Sequence, residues 1–139
     1  MADELRVAVI VAPDMPLGLV ANSVGVIAVG LGAQCPHLAD GALADGGGRR
    51  FASVCNQPMP VLQADRATIR NVMLKAFARR QNGAAIVPFP AFARSIHVFA
   101  DYEKALGTKS LEDEEIDGLG LAGPAAWIRS LTGSLKLLR

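Results

Sequence analysis

Two uncharged stretches in succession limit the fold of this chain more than any other feature. From Val7 to Ala12 every residue is apolar and most are β-branched; after a break at Pro13-Asp14, no Asp, Glu, Lys or Arg occurs from Met15 to Leu38. The first stretch suits a strand covered on both faces. In the second, Pro16 sits near the first turn of a helix running to about Gly32, with Asp14 placed to cap its open N–H groups. Leu17, Leu19, Val20, Val24, Val26, Ile27, Val29 and Leu31 make that helix apolar nearly all round. Such a helix belongs at the centre of a fold or at an interface. Pro16, Asn22, Ser23 and a second proline make the same run a poor bilayer span, and no membrane association is expected.

Beyond it, Ala33 to Met59 holds Gly46-Gly47-Gly48 and little periodicity. That is long for a structureless connection and implies a short helix or a functional excursion. Pro60 to Ala64 reads as a short strand. Asp65 reads as the N-cap of a helix to about Gln81, with Ile69, Val72, Met73, Ala76 and Phe77 at helical spacing. Asn82-Gly83 stops it, and Ala84 to Phe89 is a third strand. Strand, helix, strand, helix, strand implies parallel crossovers in an α/β sheet. A short helix is expected around Asp101 to Leu106, and a fourth strand over Ile116 to Gly123. In that strand Gly118, Gly120 and Ala122 share one face, which lets a helix or a ligand approach closely. The chain then closes with a Pro124-initiated helix and a short strand-like tail.

A length of 139 residues predicts one domain, 1–139, large enough to fold without disulfide or metal. The composition is 51% hydrophobic and 19% charged, which suggests apolar surface buried against a partner subunit. A net charge of +1 gives no bulk attraction for nucleic acid, so no nucleic-acid partner is expected. The acidic start differs from a signal peptide, and Cys35 and Cys55 read as reduced thiols of a cytoplasmic chain.

The candidates for chemistry are few. Asn22 and Ser23 are the polar pair in the apolar helix. A buried amide must find partners, either a ligand at the helix N-terminus or the neighbouring backbone. Phe89, Phe92, Phe99 and Tyr102, four of the seven aromatics, cluster late in the chain as core or pocket wall. Cys35, His37, Cys55 and His97 fit no compact ligand spacing, so no metal is expected. Gly118-x-Gly-x-x-Gly123 lies inside a strand, too near the chain end for a dinucleotide site, and no cofactor is expected. Arg49-Arg50, after three glycines, reads as a solvated loop tip.

The close of the chain, Gly118-Leu-Gly-Leu-Ala-Gly-Pro124 running to Leu131-Thr-Gly-Ser-Leu-Lys-Leu-Leu-Arg139, resembles that of the peptidyl-tRNA hydrolase type II family. So does Asp14-Met-Pro-Leu-Gly-Leu-Val-Ala-Asn22, where Gly18 and Ala21 fit that family's glycine-containing helix start. The basic residues that flank the glycine there are Leu17 and Leu19 here; its helix-borne Gln and His fall on Ser23 and Val26. Its Asp and Thr before the final strand have no counterpart in Leu111 to Asp117. Without such groups nothing holds an RNA phosphate or polarises an ester. A closer resemblance, over nearly the whole chain, is to an uncharacterised bacterial family, the domain of unknown function numbered two thousand. Its pattern is a leading strand, Asp-x-Pro-x-Gly-Leu-x-Ala-Asn, a Pro-Val-Leu strand and the Gly-Pro to Leu-Leu-Arg end. These resemblances imply a three-layer α/β sandwich: a four-stranded mixed sheet, peptidyl-tRNA hydrolase II-like, with helices on both faces, in a homodimer.

The expected function is binding of a small-molecule ligand where the first helix starts. Asp14, Gly18, Asn22 and Ser23 are the site candidates, with Phe92 and Tyr102 closing it. The alternatives are a hydrolase of peptidyl-tRNA or a related ester, and a structural dimerisation module. No catalytic residue is assigned.

Overall fold

The computed structural model describes residues 4–139. The first strand, β1 (Leu5–Val11), leads into α1 (Leu17–Gln34), a 3-10 turn at Pro36–Ala39 and a two-stranded ribbon of β2 (Ala42–Ala44) and β3 (Arg50–Ala52). Then come β4 (Val61–Gln63), α2 (Arg66–Ala78), β5 (Ala85–Pro90), a 3-10 turn at Ala91–Ser95 and α3 (Phe99–Leu106). A further 3-10 turn precedes β6 (Ile116–Pro124), α4 (Ala125–Thr132) and β7 (Lys136–Leu137).

The main sheet is mixed, in the order β5-β6-β1-β4-β7. It has five strands, where the sequence implied four. The added strand is the chain's tail, which pairs antiparallel with β4 through Leu62↔Leu137 and Gln63↔Lys136. Two residues are too few to show an alternating pattern, so only the open edge of β4 turns this tail into a strand. The three strands joined by the crossovers do run the same way in this sheet, though not all as neighbours. β1 and β4 are parallel neighbours, but β6 inserts antiparallel between β1 and β5, so β5 points the same way as β1 without touching it. Crossover helices fix strand direction but not which strand comes between.

Val7 to Val11 are all buried, as the unbroken apolar run requires. Each Val or Ile side chain among them contributes about 1.5–3 kcal/mol on leaving water. On one face of β6 the glycines admit α1: a Cβ on Gly120 would come within 2.3 Å of Ile27 Cγ2. On the other face, a Cβ on Gly123 would meet the Trp127 ring of α4 at 2.7 Å. The small face of β6 thus serves a helix and not a ligand. α2 also packs on β6, and these helices on either side of the sheet give three layers. Asp65 does cap α2, accepting from the Thr68 N–H at 2.7 Å.

Asp14, by contrast, does not cap α1. Pro16 takes the N-cap position and no side chain bonds there. Of the two places expected for so apolar a helix, α1 does not take the fully covered centre of the fold. Val20, Ser23, Ile27 and Leu31 face the sheet, while Leu17 and Val29 are 83% and 73% exposed. By length and composition α1 is apolar enough to cross a membrane, and is alone in that among the described residues. The Gly-rich stretch from Gly46 is the turn of the ribbon. There Asp45 accepts from the N–H groups of Gly47 and Arg49 and pairs with the Arg49 guanidinium at 3.1 Å.

The outer strand β5 carries Pro88 and Pro90, which remove two donors from that margin.

Candidate functional site

Four charged side chains meet beyond the carboxyl ends of β1, β4 and β5. Asp14 follows β1, Arg66 is the first residue of α2, Arg94 lies in the turn after β5, and Asp117 opens β6. Asp117 is fully buried. Arg66 Nε donates to its Oδ1 at 2.8 Å, and Arg66 Nη1 donates to Asp14 Oδ2 at 2.9 Å. Arg94 donates through Nε to Asp117 Oδ2 and through Nη2 to Oδ1 at 3.0 Å. A buried carboxylate is tolerable only when its lone pairs are met this fully. The Arg66 hydrogen bond holds the Asp14 carboxyl below the usual carboxylate range. Hydrogen bonding to Asp14 and Asp117 raises Arg66, and bonding to Asp117 raises Arg94, so both stay charged.

Beside this network opens a pocket of about 610 Å3 between α1, β5 and the segment that ends in α3. Leu19, Val26 and Ile27 of α1 form one wall, and Val87 and Phe89 of β5 line another side. Its polar lining is Asn22, Ser23, Arg94, His97 and Tyr102. Ser23 is sealed: its hydroxyl donates to the Leu19 carbonyl at 2.8 Å. Asn22 is not, for among the described residues the side chains of Asn22, His97 and Tyr102 hydrogen-bond to no protein group. The polar pair on α1 therefore divides: Ser23 is buried and bonded to backbone, whereas Asn22 is exposed, not the buried amide the sequence suggested, and its side chain is free for solvent or a ligand. Phe92 backs Tyr102 with ring centroids 5.8 Å apart, and Phe99 flanks it at 6.0 Å. Burial pushes the Tyr102 phenol up, so it is a neutral donor or acceptor at physiological pH.

A model of one protein family, described as "Protein of unknown function (DUF2000)", matches residues 5–139. The chain belongs to the DUF2000 family. Among solved structures, it is similar to the protein of unknown function Atu0240 from Agrobacterium tumefaciens str. C58, with a TM-score of 0.87 and 19% identity. The match covers 99% of this chain and 98% of the other. No curated protein matches. At that identity the likeness shows a shared fold alone.

Of the residues expected at a site in this DUF2000 chain, Asn22, Ser23 and Tyr102 line one pocket and Phe92 supports it from behind. Asp14 is instead engaged by Arg66, and Gly18 faces open space, where a Cβ would meet nothing within 4 Å. Arg66, Arg94 and Asp117 were not anticipated, and His97 was weighed only as a metal ligand. The signal for Asp117 is a single charge inside an otherwise apolar glycine strand. Arg94 and His97 sit in an irregular segment where no period marks them. Among the described residues no three of His, Cys, Asp and Glu are grouped to hold a metal ion. Cys35 is buried, which pushes its thiol up.

Proposed function

We propose that this chain is a small-molecule-binding domain, cytosolic and homodimeric, on a peptidyl-tRNA hydrolase II-like fold that lacks the standard hydrolase residues. One observation carries the reading: an apolar pocket of about 610 Å3 on which the solvent-exposed Asn22 and His97 and the half-buried Tyr102 converge, none of them hydrogen-bonded to a protein group among the described residues. Pockets of this size and lining, with a few convergent polar groups, are the usual form of a ligand site. It lies against the later half of β5 and the turn that follows, close to the strand ends where open α/β sheets take ligands. Against hydrolysis, Leu17 and Leu19 flank Gly18, and the Ser23 hydroxyl is engaged by the Leu19 carbonyl with no base on it. The exposed apolar side of α1, with Leu17 and Val29, is the surface that a second copy would cover.

The test is a ligand screen by thermal shift and chemical-shift mapping, on the wild type and on Asn22→Ala. Binding that maps to the pocket and weakens about tenfold in Asn22→Ala, with the melting temperature of the free chain unchanged, supports the reading; one lost hydrogen bond to a ligand is worth about that. Hits that map to the Gly46–Arg50 ribbon turn, or bind Asn22→Ala as they bind the wild type, overturn it.

A further inference from the structure

The pocket's lining has a charge asymmetry that narrows the ligand class. Arg94 and His97 line it, and among the described residues no Asp or Glu does. Nearby, Asp117 lies under Arg94 with no exposure, and both its oxygens are already bound by arginines. Arg94 uses Nε and Nη2 on that carboxylate, which leaves Nη1 and its two N–H groups with no protein acceptor. A guanidinium with five donors held from behind by a buried carboxylate is fixed in direction and loses little freedom when it meets a second acceptor. Tyr102 and Asn22 add donors on the same pocket, and the rest of the lining is aliphatic or aromatic.

Resting on the pocket assignment above, we infer that the ligand is a small organic monocarboxylate with an apolar body. Its carboxylate sits on Arg94, with Tyr102 and Asn22 as further donors, and its body lies among Val26, Ile27, Val87 and Phe89. A carboxylate supplies acceptors only, which matches the donor-only guanidinium, and Asn22 and Tyr102, able to donate or accept, can turn donors to it; an ammonium would face the guanidinium and be repelled. The volume bounds the size. About 610 Å3 holds on the order of 20 non-hydrogen atoms at about 30 Å3 for each water-sized group. Because the pocket is open on one side, a ligand of ten to twenty such atoms is the expectation, on the same rough scale. Nucleotides and sugar phosphates fall outside the class, since their bodies are polar and their multiple charges exceed one guanidinium.

The experiment compares matched acid, amide and amine probes on the full chain by titration calorimetry: decanoate with decanamide and decylamine, and 4-phenylbutyrate with its amide and amine. An acid that binds at least tenfold tighter than its amide, with the amine undetected, is the expected result. Tyr102→Phe should weaken the acid several-fold and leave the amide nearly unchanged. Arg94→Lys, which keeps the charge on Asp117, should weaken the acid tenfold or more by losing the fixed planar fork; a thermal melt separates this loss from unfolding. If acid and amide bind alike, and Asn22→Ala weakens both, the pocket stands and the carboxylate inference falls. Absence of binding by every probe also overturns the inference, whereas the pocket assignment is then still decided by the unbiased screen.

Discussion

Asp117 and Arg94 form a two-pronged pair in which each carboxylate oxygen receives one guanidinium N–H, although Asp117 is fully buried and Arg94 reaches the surface. Arg66 binds the same carboxylate from α2. The pair thus ties the turn after β5 to the start of β6 and, through Arg66, to the second helix, and Arg94 also lines the pocket.

Breaking this network from the inside is expected to be costly. Asp117→Ala removes the anion shared by two arginines and should lower unfolding free energy by about 1–3 kcal/mol, short of the full cost of a charge left buried, because both arginines reach solvent and Arg66 keeps Asp14. Urea denaturation of the two proteins measures it, and a loss below about 1 kcal/mol would place Asp117 among surface pairs in strength.

Asp14 should give the network a pH-dependent strand. Its folded pKa is depressed by Arg66, so its contribution is complete above the ordinary carboxylate value of about 3.9 and is lost as pH falls through the lower folded value. The stability difference between wild type and Asp14→Asn should therefore be present at neutral pH and shrink once the pH drops below about 4. Paired denaturation curves at neutral and strongly acidic pH check this; a gap that widens on acidification contradicts it.

The glycines of β6 should differ in their tolerance. Gly120→Ala drives a methyl to 2.3 Å from Ile27 Cγ2, a branch fixed at Cβ, whereas Gly118→Ala meets the movable Ile27 Cδ1 at 2.8 Å. Overpacking of this kind costs about 1–3 kcal/mol. Gly120→Ala is expected near or above the upper end, Gly118→Ala near the lower, and Ile27→Val should recover only part of the first, because valine keeps both branches at Cβ. Melting temperatures of the three variants give the order.

For the dimer, Val29→Glu is the sharpest probe. Val29 is 73% exposed in the single chain, so a charge there costs the monomer little, but it would be buried unpaired if α1 faces its copy. Sedimentation should find a dimer for wild type and a monomer for Val29→Glu at micromolar concentration. A wild-type monomer sinks the dimer.

Much of the fold was legible because its elements announce themselves locally. The run Val7–Val11 reads as a covered strand, and Ile69, Val72, Met73 and Ala76 read as a helix face behind the Asp65 cap. Strand order was not legible, since nothing in β6 says that it inserts between β1 and β5, and the pairing of Leu137 with Leu62 depends on an open edge made elsewhere. The site was legible where a polar residue interrupts a period, as Asn22 does in α1. It was not legible where charges meet from separate segments. Arg66, Arg94 and Asp117 are 28 and 23 positions apart in the chain, and only the sheet brings them together.

The prolines of β5 bear on how copies of this chain can join. At that margin Pro88 and Pro90 offer no N–H to an incoming strand, and at the opposite margin β7 presents only Lys136 and Leu137. Neither border can template a further strand of useful length. The sheet is finite by construction, closed to lateral growth even when chains are crowded. A second copy would have to dock through side-chain surfaces such as the exposed side of α1, or against the separate β2–β3 ribbon with its exposed Leu43 and Phe51.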